Sequence, residues 1–251
     1  MVYSKQASIP SHPIMPPKSK SKKEHAVSAT PINFYQRADV QKFSGKTRNP
    51  GFAVHNVAVP FRGVVIGSSG AGKTNWLMNM IHLFKDTFNH IYIFTQAEEP
   101  LYSYLDSKID SSLLTIVYND LGKLNFDKFY GQSLCIFDDM VNETDKAQSK
   151  IKELYIRGRK LGVSLLYLTQ SYFQVPKLIR MQCNYVFILK LSGIRDLRLM
   201  LTEYSLGATK DQLQKMYEYV RESGMENFFM IDLQANDNKT YRKNWNEFLE
   251  V

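Results

Sequence analysis

The stretch Phe61-Arg-Gly-Val-Val-Ile-Gly-Ser-Ser-Gly-Ala-Gly-Lys-Thr74 decides the fold of this chain of 251 residues. Its first part, residues 61–66, is a short apolar run that predicts a buried strand. Residues 67–74 fit the pattern G-x-x-x-x-G-K-[ST], and residues 74–84 carry apolar side chains at helical spacing. A strand, a glycine-rich turn and a helix in this order are typical of a loop that binds the phosphates of a nucleotide.

The chemistry of this loop assigns a role to each part of it. Glycine lets the backbone curl so that successive N–H groups point at phosphate oxygens. The side chain of Lys73 is expected to reach the β- and γ-phosphates, and the hydroxyl of Thr74 to ligate Mg²⁺. The predicted nucleotide-binding residues are Gly67, Ser68, Ser69, Gly70, Ala71, Gly72, Lys73 and Thr74.

The rest of the chain predicts an α/β fold with a mainly parallel central sheet. Apolar runs at 90–94, 114–118, 133–137, 163–168, 185–189 and 228–232 predict strands, and helices are expected at 148–160, 194–204 and 209–222. Strands that are apolar throughout and alternate with helices form parallel sheets covered on both faces. Ligands bind at the carboxyl edge of such a sheet. We therefore expect the residues that end these runs to converge there: Gly67, Thr95-Gln96, Asp138-Asp139 and Thr169-Gln170.

Two acidic residues follow the strand at 133–137. Asp138 is predicted to hold the Mg²⁺ of the phosphate site through water, and Asp139 to act as the general base that polarises the attacking water. Glu98 or Glu99, just beyond the strand at 90–94, is the competing base, although an acidic turn before a proline also explains both.

Three features indicate which kind of phosphate-loop protein this is. A GTPase would have glycine three residues after the strand-end aspartate, where this chain has Val141 and Asn142, so ATP is the expected nucleotide. The strand at 114–118 precedes the acidic strand, which favours the additional-strand ATPases that work as rings. Gln170 ends a strand and is predicted to sense the γ-phosphate.

Composition separates the chain into a basic tail and a body. Residues 1–50 carry a net charge of +7 out of a total of +8, and residues 10–24 are rich in proline, lysine and serine, which predicts disorder to about residue 30. We predict two regions, the tail and lead-in at 1–50 and a phosphate-loop domain at 51–251. With 44% hydrophobic residues the body has enough apolar material for a core. No apolar run is long enough to span a membrane as a helix.

The sequence resembles a known family over about residues 60–250, and five further segments carry the resemblance. The chain is similar to the FtsK–HerA ATPases, and within them to the genome-packaging ATPases of large DNA viruses, poxviruses among them, of virophages and of related mobile elements. The bacterial members have glutamate where this chain has Asp139. The segments that carry the resemblance are Gly158-Arg-Lys-Leu-Gly-Val-Ser-Leu-Leu-Tyr-Leu-Thr-Gln170, Val175-Pro-Lys-Leu-Ile-Arg180, Lys190-Leu-Ser-Gly-Ile-Arg-Asp196, Phe228-Phe-Met-Ile-Asp232 and Tyr241-Arg-Lys-Asn-Trp245.

The resemblance implies an ATP-driven ring, a pentamer or hexamer of this chain, that moves double-stranded DNA into a preformed capsid. It implies capsid or portal-vertex proteins as partners, and the host cytoplasm or a viral factory as the location, with the nucleus as an alternative suggested by the basic tail and association with the virion as a further one. It also implies an arginine supplied by a neighbouring subunit. Arg159 is the first choice, and Arg157 and Arg180 stay open.

Contacts with DNA phosphates and the alternative functions are less well defined by the sequence. The basic residues of the body considered for DNA binding form no obvious stripe: Arg195, Arg198, Lys210, Arg242 and Lys243.

One alternative function is a phosphate-loop nucleotide kinase, although no arginine-rich lid is evident. Another is a non-enzymatic basic protein that binds DNA or capsid and uses its nucleotide site structurally.

Overall fold

A central β-sheet organises the computed structural model of this protein. The structure describes residues 30–43, 45–123, 129, 131–205, 207–235 and 237–250, so the tail predicted to be disordered lies almost wholly outside the described residues. The strands of the sheet are β1 Arg62–Ile66, β2 His90–Thr95, β3 Leu114–Tyr118, β4 Ser133–Asp138, β5 Val163–Thr169, β6 Tyr185–Ile188, β7 Phe229–Asp232, β8 Tyr241–Lys243 and β9 Glu247–Phe248.

The sheet has a parallel part and an antiparallel part. Its strand order is β3-β2-β4-β5-β1-β6-β7-β8-β9. The strands from β3 to β6 in this order pair in parallel, and β7, β8 and β9 continue the sheet in antiparallel pairing. The expectation of a mainly parallel α/β sheet is confirmed.

The strand between the phosphate-loop strand and the acidic strand is β5. It pairs with β1 on one side and with β4 on the other. The strand β3, whose position in the sequence suggested an additional strand, lies instead at the edge of the sheet and pairs with β2. The additional-strand arrangement is therefore present, but a later segment of the chain provides the inserted strand.

Two of the longer helices begin at a threonine cap. Thr144 accepts a hydrogen bond from the N–H of Ala147 at the start of one helix, and Thr209 forms a capping box with Gln212 at the start of another. The helices are α1 Ala38–Gln41, α2 Phe52–His55, α3 Lys73–Leu83, α4 Pro100–Lys108, α5 Asp145–Arg157, α6 Lys177–Gln182, α7 Ile194–Glu203 and α8 Lys210–Glu222.

Each face of the sheet carries its own hydrophobic core. Val64 and Ile66 of β1 pack into one core together with buried residues of α5, α7 and α8. Val65, which points to the opposite face, packs into a second core with buried residues of α3 and α4. Burial on both faces explains why residues 64–66 of β1 are apolar in succession.

The antiparallel part contains a buried ion pair. The carboxylate of Asp232, at the end of β7, accepts a hydrogen bond from the guanidinium of Arg242 in β8. It also accepts from the backbone N–H groups of Gln234 at 3.0 Å and Ala235 at 3.1 Å. Both side chains of the pair are almost fully buried, so Arg242 is not available to contact DNA, and its assignment as a candidate DNA contact was wrong.

The chain divides into two units at Gly45 and Lys46. The described part of the first unit contains α1 and the 3₁₀ turn Phe34–Gln36, and the second unit contains the sheet. The predicted boundary at residue 50 stays a prediction. Among the helices of the described ranges, none has both the length and the apolar character needed to cross a membrane.

Candidate functional site

A cavity of about 460 Å³ lies at the carboxyl edge of the parallel strands. The phosphate loop forms one wall of it and the ends of β4 and β5 form another. The residues on its wall include Ser69, Gly70, Gly72, Lys73, Thr74, Asn75, Asp138, Asp139 and Gln170. The structure thus brings together the predicted phosphate, metal, base and sensor residues in one place.

Two glycines give the phosphate loop its shape. Gly70 and Gly72 have φ angles of 71° and 84°, in the left-handed region that favours glycine. Gly72 directly precedes α3, so the loop turns sharply into the amino end of that helix, where unpaired N–H groups favour an anion. The ammonium group of Lys73 donates a hydrogen bond to the carbonyl of Gly67 at 3.0 Å.

Three predicted loop residues anchor the loop and do not line this cavity. The N–H of Gly67 donates to the carbonyl of Thr169 at 3.1 Å, and the N–H of Ala71 donates to the carbonyl of Ser68 at 3.0 Å. The hydroxyl of Ser68 accepts from the N–H of Ser192 at 2.7 Å. These bonds fix the loop to β5 and to the chain beyond β6.

Asp138 is a buried carboxylate with a partner that sequence reasoning missed. The hydroxyl of Tyr102, on α4, donates a hydrogen bond of 2.6 Å to one carboxylate oxygen of Asp138, and Tyr102 is fully buried. Burial raises the pKa of Asp138, while the hydrogen bond from Tyr102 and the positive charge of Lys73 oppose the rise. Asp139 and Glu99 add repulsion that raises it further.

Asp139 and Gln170 are hydrogen-bonded to each other. The side-chain amide of Gln170 donates to a carboxylate oxygen of Asp139 at 2.6 Å. Asp139 has a φ of 56°, in the left-handed region, and its N–H donates to the carbonyl of Leu168 at 3.0 Å. The candidate base and the candidate sensor therefore form one unit that joins the ends of β4 and β5.

The end of β2 contributes to the same cavity. Thr95, Gln96 and Glu99 line it, whereas Glu98 is exposed and lies outside it. The side-chain amide of Gln96 donates to Glu143 at 3.1 Å. Of the two glutamates considered as competing bases, the structure places only Glu99 at the site.

The three candidate arginines differ in what holds them. Arg180 pairs with Glu203 at 3.0 Å and lies over the ring of Tyr172, so its charge is engaged within its own chain. Arg157 pairs with Glu153 at 2.6 Å. Arg159 is exposed and lies in the 3₁₀ turn before β5, at the amino end of that strand. It does not line the cavity of its own chain.

The side chains at the cavity suit Mg²⁺ bound together with a nucleotide. In the described ranges no group of three or more His, Cys, Asp or Glu side chains is placed to hold a metal. Mg²⁺ in nucleotide sites is usually held by one or two protein oxygens together with phosphates and waters. The hydroxyl of Thr74 and the carboxylate of Asp138, which both line the cavity, are groups of that kind.

Comparison with known families identifies the group to which this sequence belongs. A family model described as Poxvirus A32 protein matches residues 52–235. The chain belongs to this family. The DNA packaging protein OPG160 of vaccinia virus, strain Copenhagen, is 28% identical over 187 residues, which cover 69% of this chain and 68% of that protein. Its counterpart in variola virus is 31% identical over 173 residues, 63% of each chain.

Solved structures support the fold independently. The genome packaging NTPase B204 from Sulfolobus turreted icosahedral virus 2, in complex with AMPPCP, matches with a TM-score of 0.58 at 18% identity and covers 78% of this chain and all of that one. The DNA-packaging ATPase B204 from Sulfolobus turreted icosahedral virus matches with a TM-score of 0.54 at 16% identity, over the same shares of the two chains. The predicted resemblance to viral genome-packaging ATPases is confirmed.

Proposed function

We propose that this protein hydrolyses ATP to move double-stranded DNA, and that it packages a viral genome into a preformed capsid. The observation that carries the proposal is that residues of the phosphate loop line the same cavity as Asp138, Asp139 and Gln170. The proposal is supported by membership of the Poxvirus A32 protein family and by relatives that are named DNA packaging proteins.

The phosphate loop would bind and orient the triphosphate. Backbone N–H groups of the loop and of the first turn of α3 donate to phosphate oxygens, and the ammonium of Lys73 binds the β- and γ-phosphates. The Thr74 hydroxyl and the Asp138 carboxylate would hold Mg²⁺, which when bound offsets negative charge on the phosphate oxygens.

We propose Asp139 as the general base for the attacking water. Its carboxylate accepts a proton from the water as the water oxygen bonds to the γ-phosphorus and the bond from that phosphorus to the ADP oxygen breaks. The hydrogen bond from Gln170 holds the carboxylate in position. Glu99, on the wall of the same cavity, is the alternative base. The bond between Asp139 and Gln170 also links the chemistry to the end of β5.

A ring of five or six copies would complete the site. Arg159 is exposed and precedes β5, whereas the cavity of its own chain lies at the other end of that strand. It would therefore act as the catalytic arginine only by entering the cavity of a neighbouring subunit. A guanidinium is always charged and forks onto oxygens, which suits the charge that builds on the γ-phosphoryl group. We propose duplex DNA and capsid or portal-vertex proteins as partners, and the host cytoplasm or a viral factory as the location.

The proposal is tested by measuring ATP hydrolysis with and without duplex DNA. We expect stimulation by DNA and a fall of at least about 100-fold in Lys73→Ala, because the lysine binds charge that develops on the phosphates. Lys85→Ala, at an exposed lysine just beyond the other end of α3, is the matched control and should hydrolyse ATP normally. Phosphate transfer to a nucleoside acceptor would instead support a kinase, and no activity a structural protein.

Mixed rings test the role of Arg159. Arg159→Ala subunits keep an intact phosphate loop, and Lys73→Ala subunits keep an intact arginine. If the arginine acts across the subunit boundary, mixing the two inactive variants should restore part of the hydrolysis, since some sites combine both intact parts. Mixed rings that form but stay inactive would reject Arg159, and the same mixture with Arg157→Ala provides the comparison.

A further inference from the structure

The chain directly after Gln170 is attached to the helix α7. The hydroxyl of Ser171 donates a hydrogen bond to a carboxylate oxygen of Asp196 at 3.3 Å, and the N–H of Phe173 donates to the same oxygen at 3.4 Å. Asp196 lies in the first turn of α7. On the other side of Gln170, Thr169 is the fully buried last residue of β5. Gln170 therefore lies between a residue fixed by the sheet and a segment bonded to α7.

A second attachment joins the same segment to the end of α7. The hydroxyl of Tyr172 donates to the carboxylate of Glu203, the last residue of the helix. Glu203 also pairs with the guanidinium of Arg180 at 3.0 Å, and this guanidinium lies 4.7 Å from the ring centroid of Tyr172. The hydroxyls of Tyr172 and Tyr204 lie 2.5 Å apart and share a hydrogen bond. Because Tyr172 is fully buried, close packing restricts its side chain to this arrangement.

The chain just before α7 is bonded to the phosphate loop. The N–H of Ser192 donates to the hydroxyl of Ser68 at 2.7 Å, and the two serine hydroxyls lie 2.9 Å apart. The N–H of Ser68 donates to the carbonyl of Lys190 at 3.0 Å. The helix and the residues that precede it therefore contact both the phosphate loop and the segment that follows Gln170.

We propose that Asp196 and Glu203 are positioning residues for Gln170, a proposal that rests on the function proposed above. Neither carboxylate lines the phosphate cavity, so neither would contact the nucleotide. The two acids are about two helical turns apart, so they face residues 171–173 from one side of α7. They hold this segment, which in turn sets where the amide of Gln170 lies. A displacement of α7 would therefore change the hydrogen bond of 2.6 Å between Gln170 and Asp139, and with it the rate of hydrolysis.

Replacing Glu203 tests the attachment at the end of the helix. Glu203→Gln keeps the shape of the side chain and removes the charge that pairs with Arg180 and accepts from Tyr172. We expect kcat of ATP hydrolysis to fall about fivefold, while the affinity for a non-hydrolysable ATP analogue stays unchanged because the phosphate loop is not altered. A loss of affinity as large as the loss of kcat would overturn the proposal.

Glu247→Gln is the matched control for this variant. Glu247 likewise accepts from a tyrosine hydroxyl, that of Tyr219 at 2.9 Å, and pairs with a cation, that of Lys243 at 3.1 Å. It lies in β9 and does not line the cavity. Glu247→Gln should therefore leave both kcat and nucleotide affinity unchanged.

Asp196 offers a rescue experiment at the other attachment. Its carboxylate oxygen accepts from an O–H and an N–H group, and the side-chain oxygen of asparagine can accept the same bonds. Asp196→Ala should therefore lower kcat about fivefold, whereas Asp196→Asn should keep most of the parent rate. Equal losses in the two variants would overturn the role of Asp196. These variants also test the proposal if Glu203→Gln does not fold.

A double variant separates positioning from a general loss of structure. If Glu203 acts through Gln170, then Gln170→Ala should lower hydrolysis and the addition of Glu203→Gln should cause little further loss. Single-turnover measurements with the protein in excess over ATP make slow hydrolysis measurable. A double variant whose loss is the product of the two single losses would overturn the proposal.

The outcomes distinguish two failures. Parent-like kcat in both Glu203→Gln and Asp196→Ala, with urea unfolding like that of the parent, would reject the positioning roles and leave the proposed function standing. A parent protein that hydrolyses no ATP, with or without duplex DNA, would reject the proposed function, and the positioning roles with it.

Discussion

Asp138 and Asp232 are two buried aspartates at strand ends of one sheet, and their surroundings differ. Asp232, in the antiparallel part, accepts hydrogen bonds from the guanidinium of Arg242 and from two backbone N–H groups. Asp138, in the parallel part, accepts one hydrogen bond among the described residues, from the hydroxyl of Tyr102. Burial raises the pKa of both carboxyl groups.

The difference separates a carboxylate that is fully paired within the fold from one that is left open to a cavity. Asp232 has its charge neutralised and its oxygens occupied, so it joins the last strands to the sheet. Asp138 keeps an oxygen without a protein partner among the described residues and faces a cavity. A buried charge with incomplete pairing costs stability, and such groups are typical of functional sites.

The largest expected effect compares the same substitution at both aspartates. Asp232→Asn should reduce the free energy of unfolding by about 3–5 kcal/mol, because it leaves the guanidinium of Arg242 buried without its counter-charge. Asp138→Asn should leave stability unchanged or raise it by about 1 kcal/mol, since it removes a poorly paired buried charge. Urea denaturation of the two variants measures both effects.

A double variant provides the control for this prediction. Asp232→Asn combined with Arg242→Met removes both charges, so it should recover part of the stability that Asp232→Asn loses. Equal losses at Asp138 and Asp232 would show that the two carboxylates are held alike, and would contradict the contrast drawn between them.

His55 sharpens the comparison, because it is buried with no charged partner. Its ring is fully buried and stacked on Phe84, and burial lowers its pKa to about 4. The neutral ring therefore stabilises the fold fully above pH 6.5, and this contribution is lost as the pH falls to 4. Between pH 7 and pH 5 the free energy of unfolding of the parent should fall by about 2 kcal/mol more than that of His55→Gln, because glutamine does not titrate.

Thermal or urea unfolding at a series of pH values checks this prediction. Above pH 7 the free energies of unfolding of the two proteins should change with pH in the same way, because the histidine is neutral in both the folded and the unfolded chain. Parallel curves down to pH 5 would mean that His55 is protonated in the folded protein.

The smallest expected effect concerns the single hydrogen bond of Asp138. Tyr102→Phe removes the hydroxyl and keeps the ring in its core. Hydrolysis of ATP should fall about tenfold, because the carboxylate is no longer fixed in one orientation. Nucleotide binding without Mg²⁺ should stay unchanged, as the loop is not altered. Tyr104→Phe, at an exposed tyrosine of the same helix, is the control and should have no effect.

Long apolar strands made most of the parallel part predictable. The central strands β4, β5 and β6 are buried at every position, so their mostly apolar character appears in the sequence, and Asp138 is visible as the residue that ends β4. The helix α4 was not predicted, since it buries only Tyr102 and Leu105 and shows little periodicity. Tyr102 therefore could not be recognised as a partner of Asp138.

Spatial order and pairing were harder to predict than the elements themselves. Sequence order suggested β3 as the inserted strand, but strand order in space depends on which crossovers pack best, and β5 takes that place. Arg242 was considered for DNA because it is basic, and nothing near it in the sequence shows that Asp232, ten residues earlier, neutralises it.

The backbone at Asp139 lies in the left-handed region, which favours a short acid. Aspartate and asparagine adopt that conformation more readily than other residues with a side chain beyond Cα, because their short polar groups bond locally. The bacterial FtsK–HerA ATPases, which this chain resembles, have glutamate at this position. Glutamate has a longer side chain but does not favour the left-handed conformation. A relative with a longer acidic side chain at this position is therefore expected to have a different backbone conformation there. Replacing Asp139 by glutamate alone would put a less suitable residue into the left-handed conformation.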